Sequence, residues 1–599
     1  MRESKDNLWI FTFEYAGIVK VGGLGEVPAN QAKNLANDYI ITVFIPSHGQ
    51  IDELKKKYDI EKFSFSCVGQ INPMQFGINE PETTYNISFY KVSIESVNVV
   101  LLNGENPFTN RFLNDKSVYN PDSLSGKIFL FNVGLCCYVN FLIDNSIEML
   151  PEIIHIHDYH AVIPFIGIKQ LLAKNDLDVA SIITIHLLTW PRYPINFYKA
   201  CGIDDTLISI HLREGLKKLN LNEIFKICME KTKEYNIPTV EMIGAFVSDL
   251  VTTVSQSYLK SDIIPNCGKE LIEFKSNFVW DGCDWDYNEI YQQVLSIHGR
   301  EIRDVLQIPW DESLTTTDMK KYLLTYKLSH LDKSPLIQSE KVLDVIKEIS
   351  DGNEFIRDGY IRAFVDSGPL MITTGRISPQ KGFETILDAI PDIVKVIPDA
   401  KFLFLILPTE YSLNEIRIYA DYVKKYPDNL RIVFGVAKEI FHLAHLCSDV
   451  YSALSRWEPF GIIALEAMSI KLPIIATKVG GFQESIIDIR NYPEIGTGIL
   501  IDNDNPKQFA DALISLFKLK EISDKVKSKE NIYETENFKL VNQIPDKILE
   551  SLVLLDPKCY TKIKENCYKR VENNFRWRIV SKKLIELYDT IKDLHLLKI

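Results

Sequence analysis

Several features that would assign a protein class at once are missing from this chain of 599 residues. Its ten cysteines are scattered and form no C-x-x-C pair, which excludes the usual zinc-ligand spacing and a dense disulfide framework. No run of eighteen apolar residues occurs, so we expect no membrane span. The N-terminal apolar run ends at Glu14, too early for a signal peptide. These absences favour a reducing, cytoplasmic location.

Positive charge is also scarce, because 67 basic residues face 80 acidic ones and give a formal net charge of −13. Such a surface repels a nucleic-acid backbone, so we expect no nucleic-acid partner, whereas a small anionic ligand remains compatible. With 46% hydrophobic residues, the chain has enough apolar material for packed cores. Its length suits two large domains or three to four ordinary ones.

The most regular pattern along the chain is a short β-rich apolar run followed by a longer helical pattern. This alternation is typical of parallel strands joined by helical crossovers, and it predicts an α/β fold with two Rossmann-like sheets. Ligands of such sheets bind beyond the carboxyl ends of the strands. The predicted strands cover residues 8–13, 40–45, 153–157, 182–186, 250–254, 370–374, 401–407, 430–434, 449–453, 473–477 and 498–501.

The same pattern divides the chain into five segments. Two of them are charged, helical in pattern and poor in turn motifs, which is typical of solvated helical additions. The last segment places apolar residues at helical intervals and predicts a terminal amphipathic helix. The segments are an N-terminal Rossmann-like domain (1–285), a helical insertion (286–366), a second Rossmann-like domain (367–516), a helical appendage (517–574) and the C-terminal helix (575–599).

A glycine-rich turn, KVGGLG at residues 20–25, follows the first predicted strand. Gly22 and Gly23 let the backbone approach a ligand closely, free N–H groups at the helix start favour an anion, and Lys20 adds a positive charge. The turn therefore predicts a phosphate site, with an ordinary strand-to-helix turn as the alternative. It is neither a Walker loop nor a G-x-G-x-x-G fingerprint.

Three histidines occur in HIHDYH at residues 155–160, where a predicted strand ends. Strand alternation places His155 and His157 on one face, while His160 lies in the turn, so a common zinc site would require an unusual bend. We therefore predict no metal here. His160 is placed to face a ligand, the two strand histidines suit buried structural roles, and His186 ends the next strand beside the same ligand position.

The loop TGRISPQKG at residues 374–382 follows the first strand of the second sheet. Arg376 and Lys381 place two cations in one glycine-flanked loop that opens onto a helix. A diphosphate leaving group requires this kind of charge neutralisation, and the position at the carboxyl end of a strand favours it over a chance pair of cations.

Two glutamates flank a helix start in SRWEPFGIIALE at residues 455–466. Pro459 keeps Glu458 at the helix entrance while Glu466 lies inside the helix, so the two carboxylates point in different directions. Carboxylates accept hydrogen bonds from vicinal hydroxyls, so one glutamate suits a hexose and the other a ribose, with two surface glutamates as the alternative. N–H groups at Gly461 and Ile462 offer a further anion contact.

Taken together, these segments resemble the glycogen and starch synthases of bacteria and archaea, which are retaining glucosyltransferases of the GT-B fold. The fold class implied is α/β, with two Rossmann-like domains facing a central cleft and helical insertions. The Lys-x-Gly-Gly-Leu turn distinguishes α-glucan synthases from other GT-B enzymes. The matching segments are KVGGL at 20–24, HDYHA at 157–161, TTVS at 252–255, the GR and KG pairs at 375–376 and 381–382, EPFG at 458–461 and Glu466.

The resemblance also implies a role for each matching residue. The assigned roles are donor contact for Lys20, Gly22 and Gly23, a place beside the reacting sugar for His160, diphosphate binding for Arg376, Lys381, Gly480 and Gly481, contact with glucose hydroxyls for Glu458, and contact with the nucleotide ribose for Glu466. No metal and no cofactor is expected. The cations and helix N-termini would stabilise the departing diphosphate.

The expected reaction is transfer of glucose from ADP-glucose or UDP-glucose, the nucleotide-sugar donor, to the non-reducing end of an α-1,4-glucan acceptor with retention of configuration. One alternative is a related GT-B enzyme that makes a small glucoside of the trehalose or sucrose type. Another is a non-catalytic glucan-binding protein, which is disfavoured by the joint presence of Lys20, His160, Arg376, Lys381 and Glu458.

Overall fold

The computed structural model describes residues 5–76, 78–231, 237–331, 337, 339–356, 361–525 and 530–596. The chain divides into two compact units. The first consists of Met1–Gly282 together with Trp577–Ile599, and the second of Cys283–Arg576. Each unit contains one large sheet of mainly parallel strands, so the α/β expectation from the sequence is confirmed.

The first unit has a nine-stranded sheet in the order β11-β10-β7-β6-β1-β2-β5-β4-β3, and β8 pairs with β9 in a separate hairpin. The chain order reverses between β1 and β6, so the loops after these two strands flank a topological switch point. Strand bounds are β1 (Asn7–Phe11), β2 (Ile40–Pro46), β3 (Ile60–Ile71), β4 (Thr83–Ile94), β5 (Val97–Gly104), β6 (Ile153–His157), β7 (Ala180–Ile185), β8 (Ile208–Leu212), β9 (Gly215–Leu219), β10 (Leu250–Thr253) and β11 (Ser276–Phe278).

All five strands predicted for this half are present, and β3, β4, β5 and β11 extend the sheet beyond them. β4 runs antiparallel to both β3 and β5. β3 alternates exposed and partly buried residues over most of its length, as an edge strand with one solvated face does. The prediction relied on continuous apolar runs, which such a strand lacks.

The helices of the first unit cover the central sheet and bury two apolar clusters against it. Their bounds are Glu26–Leu35, Ile51–Lys55, Pro107–Leu113, Pro121–Asn145, Val162–Lys174, Ile195–Ala200, Leu221–Lys231, Val240–Val247, Gln256–Tyr258, Ile264–Cys267, Lys269–Ile272 and Trp577–Leu596, with a π-helix at Leu259–Ile263. Among the described residues, the helix Pro121–Asn145 is long and apolar enough to cross a membrane, but 67% of its most apolar stretch is buried inside the protein.

The second unit has a six-stranded parallel sheet in the order β14-β13-β12-β15-β16-β17. Each of these strands was predicted from the sequence. Their order places the switch point between β12 and β15, which is where the loops with the cations and the glutamates begin. Strand bounds are β12 (Leu370–Arg376), β13 (Lys401–Leu407), β14 (Leu430–Phe434), β15 (Val450–Ala453), β16 (Ile474–Thr477) and β17 (Gly498–Ile501).

The described parts of the two predicted helical additions are indeed helical, and both lie within the second unit. The predicted boundary between residues 516 and 517 lies inside the helix Pro506–Lys525, because the apolar pattern of that helix continues across it. Helix bounds are Tyr287–Leu306, Thr316–Thr325, Glu340–Ser350, Phe383–Val396, Leu413–Lys425, Lys438–Cys447, Ile462–Ser469, Phe482–Ser485, Pro506–Lys525, Thr535–Val541, Lys547–Leu555 and Cys559–Asn574.

The last helix, Trp577–Leu596, packs on the sheet of the first unit and is fixed there by polar contacts as well as apolar ones. The Tyr588 hydroxyl lies 2.7 Å from Nδ1 of His155, a buried residue of β6. Near the helix end, Nε2 of His595 lies 3.1 Å from the buried carboxylate of Asp249, and Nδ1 lies 3.3 Å from Asp178.

These contacts couple the docking of the helix to pH. Burial opposes the charge on His595, but Asp178 and Asp249 raise its pKa from 6.5 to about 8. Burial also opposes ionisation of Asp249, but Lys169 and His595 lower its pKa from 3.8 to about 2. The histidine therefore contributes its full stability below pH 6.5 and loses it as the pH rises through 8, while the aspartate contribution is lost only as the pH falls through 2.

We expect His595→Ala to lower the free energy of unfolding at pH 6 by about 2 kcal/mol, which is the energy equivalent of a pKa shift of this size. The penalty should shrink at pH 9.5, where the imidazole is neutral in both the folded and the unfolded states of the wild-type protein. Thermal unfolding at the two pH values measures it. The control is His330→Ala in the second unit, where the histidine makes no ion pair within the described chain. Equal penalties for His595→Ala at both pH values would contradict the charge-based account.

Candidate active site

The Lys20 turn follows β1, and a buried carboxylate accepts hydrogen bonds from its backbone. Oε2 of Glu14 accepts hydrogen bonds from the backbone N–H groups of Val21 at 2.7 Å and Gly22 at 3.2 Å. Its Oε1 accepts a hydrogen bond from the Tyr119 hydroxyl at 2.5 Å. The prediction of free N–H groups in this turn was therefore wrong for these two, because Glu14 already acts as their anion.

Lys20 is exposed and forms an ion pair with Glu26 at 2.6 Å. Glu26 opens the helix Glu26–Leu35, so its carboxylate also lies at the positive end of that helix dipole. The sequence pattern indicated no role in this turn for Glu14 or Glu26, although both residues flank its glycines. In the folded turn, Glu26 therefore partly balances the charge of Lys20. The buried carboxylate of Glu14 holds the backbone of the turn in place.

His160 lies in the turn after β6 and is buried among aromatic rings. It stacks on Phe13 with ring centroids 4.9 Å apart, and Tyr119 lies on it at 5.0 Å. Burial, with a contribution from the charge of Lys127, lowers the pKa of His160 to about 3. The imidazole is therefore neutral at ordinary pH, so it offers one donor and one acceptor nitrogen rather than a positive charge.

The other histidines of this edge have partners inside the fold. Nδ1 of His157 lies 2.9 Å from Nε2 of His186, and the backbone N–H of His186 donates to Asp158 at 2.7 Å. Nε2 of His155 lies 2.7 Å from the hydroxyl of Thr184. His155 and His157 are both buried, in agreement with their predicted structural roles. Asp158 has a left-handed φ of 59°, a strained conformation for a residue other than glycine.

In the second unit, Arg376 ends β12 and its side chain is exposed. It forms no ion pair or side-chain hydrogen bond with the part of the chain that the structure describes. Lys381, five residues later, forms an ion pair with Glu458 at 2.7 Å, and both side chains are largely buried. The structure therefore brings Lys381 and Glu458 together and leaves the guanidinium of Arg376 available to a ligand.

Glu458 is held by the loops around it. Its Oε2 accepts hydrogen bonds from Lys381 and, at 3.0 Å, from the Ser455 hydroxyl. The backbone N–H of Arg456 donates to Gln380 at 2.7 Å, and the amide of Gln380 donates to the carbonyl of Trp457 at 3.0 Å. The cation loop and the glutamate loop thus form one hydrogen-bonded assembly at the switch point.

The glycines of this assembly are required by close packing of the backbone. A Cβ atom on Gly480 would lie 1.7 Å from the carbonyl oxygen of Glu458, and one on Gly481 would lie 2.3 Å from Cα of Phe460. Gly461 caps the helix Ile462–Ser469 with a left-handed φ of 94°. Their predicted contact with a diphosphate stays a prediction, and the structure adds a packing reason for each.

Glu466 lies inside the helix Ile462–Ser469, as predicted, and is partly buried. Burial, and then the charges of Glu466 and Glu458, raise the pKa of Tyr451, whose hydroxyl lies 2.6 Å from that of Thr374. Both glutamates therefore lie close to one buried tyrosine on β15. Within the described residues, no cluster of three or more histidine, cysteine or acidic side chains is arranged to bind a metal ion.

The sequence of the chain matches two family descriptions in succession. The family described as "Starch synthase catalytic domain" matches residues 7–273. The family described as "Glycosyl transferases group 1" matches residues 361–534. The two matches cover both large sheets except for the edge strand β11.

Individual relatives are similar along most of the chain. A glycogen synthase from Pseudothermotoga lettingae is 23% identical over 496 residues, which span 81% of this chain and 86% of that protein. A glycogen synthase from Hydrogenobaculum sp. is 22% identical over 500 residues, spanning 82% and 86%. The catalytic domain of starch synthase IV from Arabidopsis thaliana, solved with ADP and acarbose, superimposes with a TM-score of 0.64 at 17% identity and covers 98% of this chain. The predicted GT-B fold is confirmed.

The packing of Gly480 gives a test that does not depend on activity. Gly480→Ala places a methyl group against the carbonyl of Glu458, whereas Gly352→Ala in the same unit introduces comparable left-handed strain with no atom within 4 Å. We expect the first substitution to lower the melting temperature by about 5 °C or more, and clearly further than the second, because it adds a steric clash. Equal melting temperatures for the two variants would show that the loop rearranges freely.

Proposed function

The chain belongs to the GT-B glycosyltransferases of the glycogen and starch synthase type, and we propose that it transfers glucose from ADP-glucose or UDP-glucose to the non-reducing end of an α-1,4-glucan. The configuration at the anomeric carbon is retained in this proposal. The observation that carries it is the assembly of Arg376, Lys381 and Glu458 at the switch point of the second sheet. A nucleotide diphosphate and a hexose require these groups together.

The departing nucleotide diphosphate is the centre of the proposed chemistry. Negative charge grows on its β-phosphate as the bond to glucose breaks, and fixed positive groups stabilise that charge more in the transition state than in the ground state. Arg376 is exposed and unpaired within the described chain, so binding a phosphate does not require it to leave another partner. We assign it the larger share of this stabilisation.

Lys381 and Glu458 act as a pair in this proposal. The lysine and the Ser455 hydroxyl both contact Oε2 of Glu458, so Oε1 is left to accept a hydrogen bond from a sugar hydroxyl. The ion pair fixes the direction of the carboxylate. Lys381 places its positive charge beside the bond that breaks. When no donor is bound, Glu458 balances that charge.

In the first unit, we propose that neutral His160 hydrogen-bonds a sugar hydroxyl and that Lys20, with Gly22 and Gly23, contacts the donor. A neutral imidazole suits an uncharged sugar, because it can donate and accept without placing a second cation near the reacting carbon. We also infer a cytoplasmic location, which the ten free cysteines support.

The direct test incubates the purified protein with ADP-glucose or UDP-glucose, with and without glycogen, and measures nucleotide diphosphate release and labelling of the polymer. We expect release with one donor to depend on glycogen and to match polymer growth. Release without growth would reject the synthase proposal and favour transfer to a small acceptor. No release with either donor would favour a binding role.

The role of Arg376 predicts a specific kinetic defect. Arg376→Ala should lower kcat by about 100–1000-fold, as the loss of one preorganised partner of transition-state charge does. The control is Arg300→Ala on the helix Tyr287–Leu306, whose exposed guanidinium lies 3.8 Å from Asp304 and has no assigned role. Initial rates at saturating donor measure both. Near-normal turnover by the Arg376 variant would contradict its assignment.

Glu458→Gln separates the two halves of the ion pair. The amide keeps the shape of the side chain and one acceptor oxygen but loses the charge that binds Lys381. We expect kcat to fall by about tenfold or more and the melting temperature to fall as well, because the largely buried ammonium of Lys381 loses the charge that compensates it. Kinetics together with thermal unfolding checks this, and unchanged kcat would indicate that the charge of Glu458 is not used.

A further inference from the structure

The loop after β7 presents an exposed tryptophan on a strained backbone. Trp190 lies four residues beyond His186, its side chain is 52% exposed, and its φ is 54°. Left-handed backbone at a bulky aromatic residue costs about 1–3 kcal/mol and persists only where the surroundings enforce it. Without surroundings that enforce it, the backbone of an exposed tryptophan would adopt an ordinary conformation with negative φ.

A buried carboxylate enforces this conformation. Oε1 of Glu241, in the first turn of the helix Val240–Val247, accepts the backbone N–H groups of Thr189 and Trp190, each at 3.0 Å. Glu241 is fully buried. Burial raises its pKa, although the hydrogen bonds from the loop oppose that shift. A buried acidic group at this point has a cost in stability, which the two N–H groups of the strained turn offset.

Further contacts fix the rest of the loop and the ring itself. The Leu188 N–H donates to the Tyr258 hydroxyl at 3.0 Å, and the Val240 N–H donates to the carbonyl of Pro191 at 2.9 Å. The indole Nε1–H of Trp190 donates to Asn266 at 3.2 Å. The edge of the indole is therefore tethered while a face of the ring stays accessible.

This ring lies at the same edge of the sheet as the candidate sugar-binding histidine. β6 and β7 are adjacent and parallel, so the loops after them begin side by side. The hydrogen bond from the His186 N–H to Asp158 joins the two loops directly, two residues before His160. Trp190 thus belongs to the predicted ligand edge of the first unit.

The chemistry of the loop selects a neutral ligand. Its N–H groups at Thr189 and Trp190 are occupied by Glu241, and the buried carboxylate beneath them disfavours an anion. A glucose ring is neutral and has an apolar face of C–H groups that packs on an aromatic plane, while its hydroxyls remain in water. A nucleotide would bring phosphates toward the glutamate.

We propose that the indole of Trp190 is the platform on which a glucose ring of the α-glucan acceptor stacks, with Glu241 and Asn266 as positioning residues. The proposal rests on the proposed function and names a specificity-determining residue for its acceptor. Glu241 sets the backbone conformation and Asn266 sets the rotation of the ring.

Steady-state kinetics with glycogen as the varied substrate tests the proposal. Trp190→Ala should raise KM for glycogen by about tenfold, the upper range for loss of one aromatic contact, while KM for the donor and kcat at saturating glycogen change less than twofold. Trp190→Phe should recover most of the loss because a flat ring remains. Asn266→Ala, which keeps the indole but frees it, should give an intermediate KM. The control is Trp310→Ala, an exposed tryptophan of the second unit that packs against Arg303.

Affinity electrophoresis in gels containing glycogen supplies a readout that needs no turnover. Glycogen should retard the wild-type protein and Trp310→Ala equally and Trp190→Ala less. If the wild type proves unable to extend glycogen, retardation that depends on Trp190 would still support glucan binding, so the two proposals fail separately. Unchanged KM for glycogen together with unchanged retardation, or a rise in KM for the donor alone, would overturn the proposal.

Discussion

Every candidate functional residue depends on one constraint, which is that a parallel sheet covered on both faces directs all of the loops after its strands to a single edge. The first unit places the turns after β1, β6 and β7 there, and the second places those after β12, β15 and β16 there. Residues distant in sequence, such as Lys381 and Glu458, meet because their strands are neighbours. Helices on both faces keep the strands buried, so the candidate residues lie where the strands end.

At the edge of each sheet, carboxylates with little exposure to solvent organise the loops. Glu14 collects N–H groups of the lysine turn, Glu241 those of the tryptophan loop, and Glu458 the ammonium of Lys381. Each gives a strained or glycine-rich segment one conformation before any ligand arrives. Preorganisation of this kind reduces the cost of ordering the site on binding, and it explains why a protein with an acidic surface keeps further acids in its interior.

The sequence was informative where chemistry coincides with a local pattern. Continuous apolar runs marked eleven strands, and glycine next to lysine or arginine marked the loops after β1 and β12. No local pattern indicated the residues that hold a loop from another part of the chain. Glu241 lies 51 residues from Trp190, and Glu14 is seven residues from Val21, with no spacing rule that pairs them. Edge strands such as β3 were missed because their solvated face interrupts the apolar run.

The return of the chain to the first unit affects how the protein is made. His155 is completed by Tyr588, a partner 433 residues later, and the apolar cluster beneath that helix includes Leu584 and Ile591. A ribosome releases the second unit's whole sequence before this helix emerges, so the sheet of the first unit keeps an uncovered apolar face while the second unit is being synthesised. Truncated chains that end before Trp577 retain that face, and chaperones and proteases recognise such exposed apolar surface.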